Sequence, residues 1–205
     1  MKSVLFTGFV LLALSPLAED LRFSASYHGN ELPEKDVPKW TSKGNLAEPK
    51  LSDGVLSVAS EGANKRQFYV LDQKSGAWDM SSGLATVEFR LKCHSDNSED
   101  EVFRVQLGDG KQVWRAVFFN QRCNGSKAKT DVWDTYRLTV KDGKLQIGSE
   151  LQGVIASGIA GSPGEDESFL LFGTFKNSPT DAIRGWDLDF IRWTNEEAIT
   201  GEVTP

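Results

Sequence analysis

Residues Trp133–Ile147 read WDTYRLTVKDGKLQI, and this stretch decides the fold. Tyr136, Leu138 and Val140 alternate with Arg137, Thr139 and Lys141, the two-residue period of a strand with one buried and one wet face. Asp142-Gly143 follows, two residues that tolerate positive φ and suit a tight turn whose twist matches the flanking strands. Leu145 and Ile147 resume the apolar face on the return. The spacing predicts a β-hairpin, and the same alternation recurs along most of the chain.

Upstream, Ala85–His94 puts Val87, Phe89, Leu91 and Cys93 on one face and Thr86, Glu88, Arg90, Lys92 and His94 on the other. Val102–Asn120 predicts a second hairpin turning at Asp109-Gly110. That register sets Leu107 across from Gln112, Val105 from Trp114 and Phe103 from Ala116. On the opposite face it sets Arg104 across from Arg115 and Gln106 from Val113. Short strands are expected at Leu21–Tyr27, Val55–Ala59 and Gln67–Leu71, and the mostly apolar Ser168–Phe175 is expected to be buried on both sides. WDLDFIRW, Trp186–Trp193, closes the pattern with Trp186, Leu188 and Phe190 expected inside and Asp187, Asp189 and Ile191 outside. Trp114, Trp133 and Trp186 fall on inward faces; the pattern does not place Trp40 or Trp78.

About ten short strands joined by turns leave an antiparallel sandwich or a closed barrel. A chain of 205 residues commonly forms one such domain, and its 12 Phe and 6 Trp can bury a large apolar area. Nineteen glycines between short apolar runs suit a turn-rich all-β chain. The net charge of -6 argues against a duplex nucleic-acid partner, whose affinity comes largely from neutralised phosphates.

Residues 1–18 carry Lys2, the apolar run Val4–Leu14 and then Ser15-Pro16-Leu17-Ala18, the layout of an export signal cleaved after Ala18. The run is too short to span a bilayer, and no later stretch could do so, so the expected location is secreted, periplasmic or at the cell envelope. Residues 19–50, with Pro33, Pro38 and Pro49, read as a polar wrap, residues 51–194 as the sandwich and residues 195–205 as a polar tail. In an oxidising compartment Cys93 and Cys123 either form a disulfide or remain two buried thiols.

The pattern W-x-x-Y-R-L-T-V-x-D-G-K-L at Trp133–Leu145, with WDLDFIRW some forty residues later, resembles bacterial members of the concanavalin A-like lectin/glucanase superfamily over roughly Leu51–Trp193. The resemblance implies an antiparallel two-sheet jelly-roll β-sandwich with one concave sheet that commonly hosts carbohydrate. Related laminin-G-like domains often continue the hairpin with Val-Asp-Gly, where this chain has Gly148-Ser149-Glu150.

Several constellations could carry chemistry on such a scaffold. Asp187 and Asp189 share a strand face as a glycosidase pair would, but the third carboxylate of the glucanase E-x-D-x-x-E pattern is missing. Against the alginate lyase motifs of the superfamily, the chain offers Thr86, Glu88 and Arg90 on one strand and Gln106 without a histidine on another. Against the third motif, Y-x-K-x-G-x-Y-x-Q, it offers Phe169, Leu171, Gly173, Phe175 and Asn177, and a phenylalanine has no hydroxyl to move a proton. A basic face of Arg90, Lys92, Arg104 and Arg115 calls for a negative partner. Either an anionic or hydroxyl-rich glycan lies there, held by arginine forks, Gln106 and a ring such as Trp78, or Glu88, Asp187 and Asp189 neutralise the face from neighbouring strands. Asp96, Asn97, Glu99 and Asp100 form an oxygen-rich loop that could take calcium, although the spacing fits no EF-hand. His28 and His94 are too few for zinc. Asn124-Gly125-Ser126 is a glycosylation sequon. The sequence points to a secreted, non-catalytic carbohydrate-binding domain; a glycoside hydrolase, a polysaccharide lyase and a structural envelope protein are the alternatives.

Overall fold

A computed structural model describes residues 22–44, 49–60, 66–164, 167–175 and 184–203. The export signal lies outside the described residues. The strands are β1 (Ala25–Tyr27), β2 (Thr41–Gly44), β3 (Lys50–Ser52), β4 (Val55–Ser60), β5 (Gln67–Asp72), β6 (Ala85–Ser95), β7 (Phe103–Asp109) and β8 (Gln112–Phe119) in the first half. The second half adds β9 (Arg122–Cys123), β10 (Ser126–Lys127), β11 (Asp134–Lys141), β12 (Lys144–Ser149), β13 (Gly153–Ala160), β14 (Ser162–Pro163), β15 (Ser168–Thr174) and β16 (Arg184–Thr194). They form two antiparallel sheets. The first runs β13-β12-β11-β6-β16-β4-β3 with β1 alongside β16, and the second runs β10-β9-β8-β7-β15-β5-β2 with β14 alongside β8.

The two sheets press their apolar faces together because alternate residues of each strand have nowhere else to hide from water. Phe89 of the first sheet meets Phe103 and Phe118 of the second at ring-centroid distances of 5.8 and 5.7 Å. Trp186 meets Phe103 at 5.1 Å, and Tyr136 meets Phe118 at 4.9 Å. Trp40, carried in by the N-terminal wrap, packs edge-on to Trp193 at 5.3 Å and to Phe172 at 4.8 Å. One core therefore spans both layers.

The deciding hairpin forms as its residues require. β11 pairs with β12 so that Leu138 faces Ile147 and Val140 faces Leu145, and Asp142 and Gly143 take φ of 52° and 69° in the turn. Its second face differs from expectation: Thr135, Arg137 and Thr139 are buried too. The C-terminal tail causes this by crossing the outer face of the first sheet. Ile199 donates its N–H to Thr86 Oγ1 (2.8 Å) and accepts at its carbonyl from Thr139 Oγ1 (3.0 Å), and Arg137 Nη1 reaches Glu202 O at 3.1 Å.

Two registers depart from the sequence reading. In the β7–β8 hairpin Gly110-Lys111 form the turn and Asp109 stands before it, its carboxylate accepting from the N–H groups of Lys111 (2.7 Å) and Gln112 (2.6 Å). The register moves by two residues, so Arg104 faces Val117, Gln106 faces Arg115, and the Arg104–Arg115 opposition does not exist. An even shift leaves each side chain on its expected face. In β16 the pairing with β6 slips between Leu188 and Phe190, which leaves Asp189 as the extra residue of a β-bulge. Past the bulge the faces exchange. Ile191 and Trp193 point into the core, whereas Phe190 is partly exposed on the outside.

At the other border of the first sheet, β13 carries no charged residue and is mostly exposed. Its pairing with β12 slips twice, and Gly158 within it has φ of 71°.

Candidate functional site

The structure divides the sequence-selected residues between two outer faces that lie on opposite sides of the molecule. Glu88, Arg90, Asp187 and Asp189 belong to the first sheet; Arg104, Gln106 and Arg115 belong to the second. They do not form one basic face.

On the first sheet the charges satisfy one another. Glu88 is fully buried between two arginines, accepting from Arg137 Nε at 2.7 Å and from Arg192 Nε at 2.8 Å. Such a buried triad holds only while all three members are present. Asp187 accepts from Ser57 Oγ (2.7 Å) and lies 2.7 Å from His94 Nε2. The serine hydroxyl thus bonds the carboxylate and not the imidazole, so these three residues lack the nucleophile–base contact of a hydrolytic triad. Asp189, at the bulge, pairs with Arg90 at 2.9 Å, and the Arg90 guanidinium lies 5.3 Å from the Trp133 ring centroid. Trp133 is therefore partly exposed beneath an arginine, contrary to its expected inward position. Asp187 and Asp189 are thus each engaged with side chains of the neighbouring strands.

Trp78 is also corrected. It is fully buried, with its indole N–H donating to Gly108 O at 3.3 Å, so it cannot be the exposed ring of a glycan site.

The outer face of the second sheet holds a groove of about 250 Å³ across β7, β15, β5 and β2. Phe169 and Leu171 of β15 form its floor with Gln106 of β7, and Phe68 and Phe175 close one side, their rings 5.1 Å apart. Gly108 is the register partner of Phe169, and a Cβ there would stand 2.7 Å from the Phe169 ring. The absence of a side chain at Gly108 lets that ring lie flat on the neighbouring strand. Gln106 is 5% exposed, and among the described residues its side-chain amide has no hydrogen-bond partner. Lys43 and Asp72 mark the polar margin. Arg104 pairs with Glu101 and covers the Phe175 ring at 5.1 Å, while Arg115 donates to Ser162 Oγ. Sequence reasoning found Gln106 but not the ring beside it, because Ser168–Phe175 looked buried on both sides. Alternation of Phe169 and Leu171 with Leu170 and Phe172 was the available signal.

Three side chains of the acidic loop are engaged within the protein. Asn97 Oδ1 accepts from the Glu99 N–H (2.9 Å), Glu99 pairs with Arg122 at 3.0 Å, and Asp100 is buried beside the Arg184 guanidinium. Among the described residues no three His, Cys, Asp or Glu side chains gather to hold a metal ion. The Cys93–Cys123 bridge is not formed. Both thiols are free and buried, and burial pushes Cys93 well up and Cys123 up to about 12. The sequon asparagine is engaged as well: Asn124 Nδ2 donates to Arg115 O (2.9 Å) and its Oδ1 accepts from the Val117 N–H (2.7 Å).

No family model and no curated protein matches the chain. Solved structures share its fold at very low identity. The VIP36 exoplasmic/lumenal domain, in its Ca2+/Man-bound form, superposes with a TM-score of 0.56 at 9% identity over 86% of this chain and 92% of that one. A sialidase gives 0.57 at 9% identity over 85% of this chain, which spans only 19% of the sialidase. The binding domain of botulinum neurotoxin serotype D gives 0.55 at 12% identity over 85% of this chain and 48% of that one. The chain has a lectin-like jelly-roll fold, consistent with the concanavalin A-like resemblance. Among the described residues no helix is long and apolar enough to cross a membrane.

Proposed function

We propose that the chain is an exported, non-catalytic, lectin-like domain that binds carbohydrate in the groove on the outer face of the second sheet. One observation carries this reading: an unpartnered amide, Gln106, lies on the groove floor with a flat aromatic ring, Phe169, in a neighbouring strand. A sugar ring offers an apolar C–H face for stacking and hydroxyls that both donate and accept, which is the complement of a phenyl ring with a carboxamide. The likeness to the Ca2+/Man-bound VIP36 domain supports the ligand class. The apolar run and small-residue end of residues 1–18 support export. Because the groove is lined by one cation, Lys43, and two acids, Asp72 and Glu167, it suits neutral, hydroxyl-rich residues better than the anionic glycan suggested by the sequence.

A glycan array followed by calorimetry on the best ligand tests the reading. Phe169→Ala and Gln106→Ala are each expected to weaken that ligand about tenfold, with no reducing sugar released from the parent polysaccharide. Unaltered binding by both variants, or a parent protein that binds no glycan, overturns it.

A further inference from the structure

A second and larger cavity, about 840 Å³, opens at one end of the sandwich, away from the groove. Its volume lies in the range of ligand pockets. Connections between strands form its walls: Ser98-Glu99 before β7, Asn120-Gln121 between β8 and β9, Lys127–Lys129 at and after β10, and Gln152 before β13. Hydrogen bonds hold one of these connections in place. Gln121 holds φ of 58°, a left-handed conformation that disfavours side chains, and it is kept there by its N–H donating to Thr130 Oγ1 (2.8 Å) and its carbonyl accepting from the Ala128 N–H (3.1 Å). Strain maintained by surrounding bonds is common where a chain presents groups to a ligand.

The chemistry of the walls is distinctive in a protein of net charge -6. Glu99 is tied to Arg122, and Asp131 accepts from Gln121 Nε2 at 3.3 Å. Lys127 and Lys129 are exposed and, among the described residues, have no acid within ion-pair distance. One large apolar side chain stands exposed among these polar groups: Val132 lines the cavity at 42% exposure, beside Ala128.

We infer that this cavity is a second saccharide site, independent of the groove, and that it takes a sugar bearing a carboxylate. The lysines receive the carboxylate, Asp131, Gln121 and Gln152 meet hydroxyls, and Val132 covers the C–H face of the ring. A bare inorganic anion would leave most of the volume, and Val132, unused. A fatty acid would leave the Asp131 carboxylate without the hydroxyl donors it can accept from.

The experiment is calorimetric titration of the full chain with trigalacturonate against trigalactose, and with 3′-sialyllactose against lactose, at low and at moderate salt. The proposal expects at least one acidic probe to bind more tightly than its neutral counterpart and to weaken with salt. It also expects Lys127→Gln with Lys129→Gln to raise the acidic probe's Kd about tenfold, and Phe169→Ala to leave it unchanged. Equal affinity for acidic and neutral probes, an unaffected double variant, or no binding of either acidic probe overturns it. Loss of acidic binding in Phe169→Ala alone would place the ligand in the groove and also overturn it. Failure of the groove reading shows separately, as neutral ligands insensitive to Phe169→Ala.

Discussion

Single residues set the local charge balance. Asp134 is 1% exposed and accepts from Ser149 Oγ and from the Leu151 N–H at 3.2 Å. Burial raises its pKa above the ordinary 3.8, although those hydrogen bonds pull the other way. A raised folded pKa means that the native state favours the neutral acid. The stability this group contributes is fully present below 3.8 and is lost as pH rises through the raised value. Asp134→Asn removes that titration, so its unfolding free energy relative to the parent should improve from about pH 4 upward and then level off. Chemical denaturation across that range checks it, and a difference independent of pH would refute the assignment. At this scale the sequence was partly legible. It offered Glu88, Asp187 and Asp189 as acids that neutralise arginines, but the actual cations are Arg137, Arg192 and Arg90, with His94 beside Asp187. Which arginine meets which acid depends on the bulge at Asp189, and a single extra residue leaves no mark in an alternation pattern read by eye.

At the scale of elements, alternation gave the strands and their inner faces because burial dominates there: Val87, Phe89, Leu91 and Cys93 are inside as expected. It could not give the covering of an outer face, which comes from a segment far away in sequence. The tail that crosses β6 and β11 places Ile199 at 1% exposure against a face otherwise built of polar groups. Ile199→Ala should therefore destabilise the protein by about 2 kcal/mol or more, read as a lower urea midpoint with an unchanged slope. A variant as stable as the parent would show that the tail merely rests there. The β7–β8 turn teaches a related point: Asp-Gly signals a turn, yet Asp109 caps the turn from outside, whereas Asp142 enters it. Both placements are favourable for aspartate, so only the pairing of the flanking strands selects between them.

For the whole molecule, the jelly roll was readable and the division of the site between its layers was not. β6 and β7 follow one another in the chain but join different sheets, since β6 pairs with β11 and β16 while β7 pairs with β8 and β15. Residues on neighbouring strands of the sequence thereby face opposite directions in space. The core that joins the layers also encloses Cys93 from the first sheet and Cys123 from the second. With thiol pKa values pushed up by burial, neither should react with iodoacetamide in the native protein, and both should be labelled together across the unfolding transition. Native-state labelling at the rate of a free thiol, read by mass spectrometry, would contradict this enclosure. The border formed by β13 bears on behaviour in concentrated solution. An uncharged run such as Gly153–Ala160 would be an adhesive template for a neighbouring copy if it were straight. Its two slips and the left-handed Gly158 make it crooked, so an incoming strand finds no continuous ladder to zip onto, and irregularity does the guarding that lysines perform in other proteins against growth into fibres.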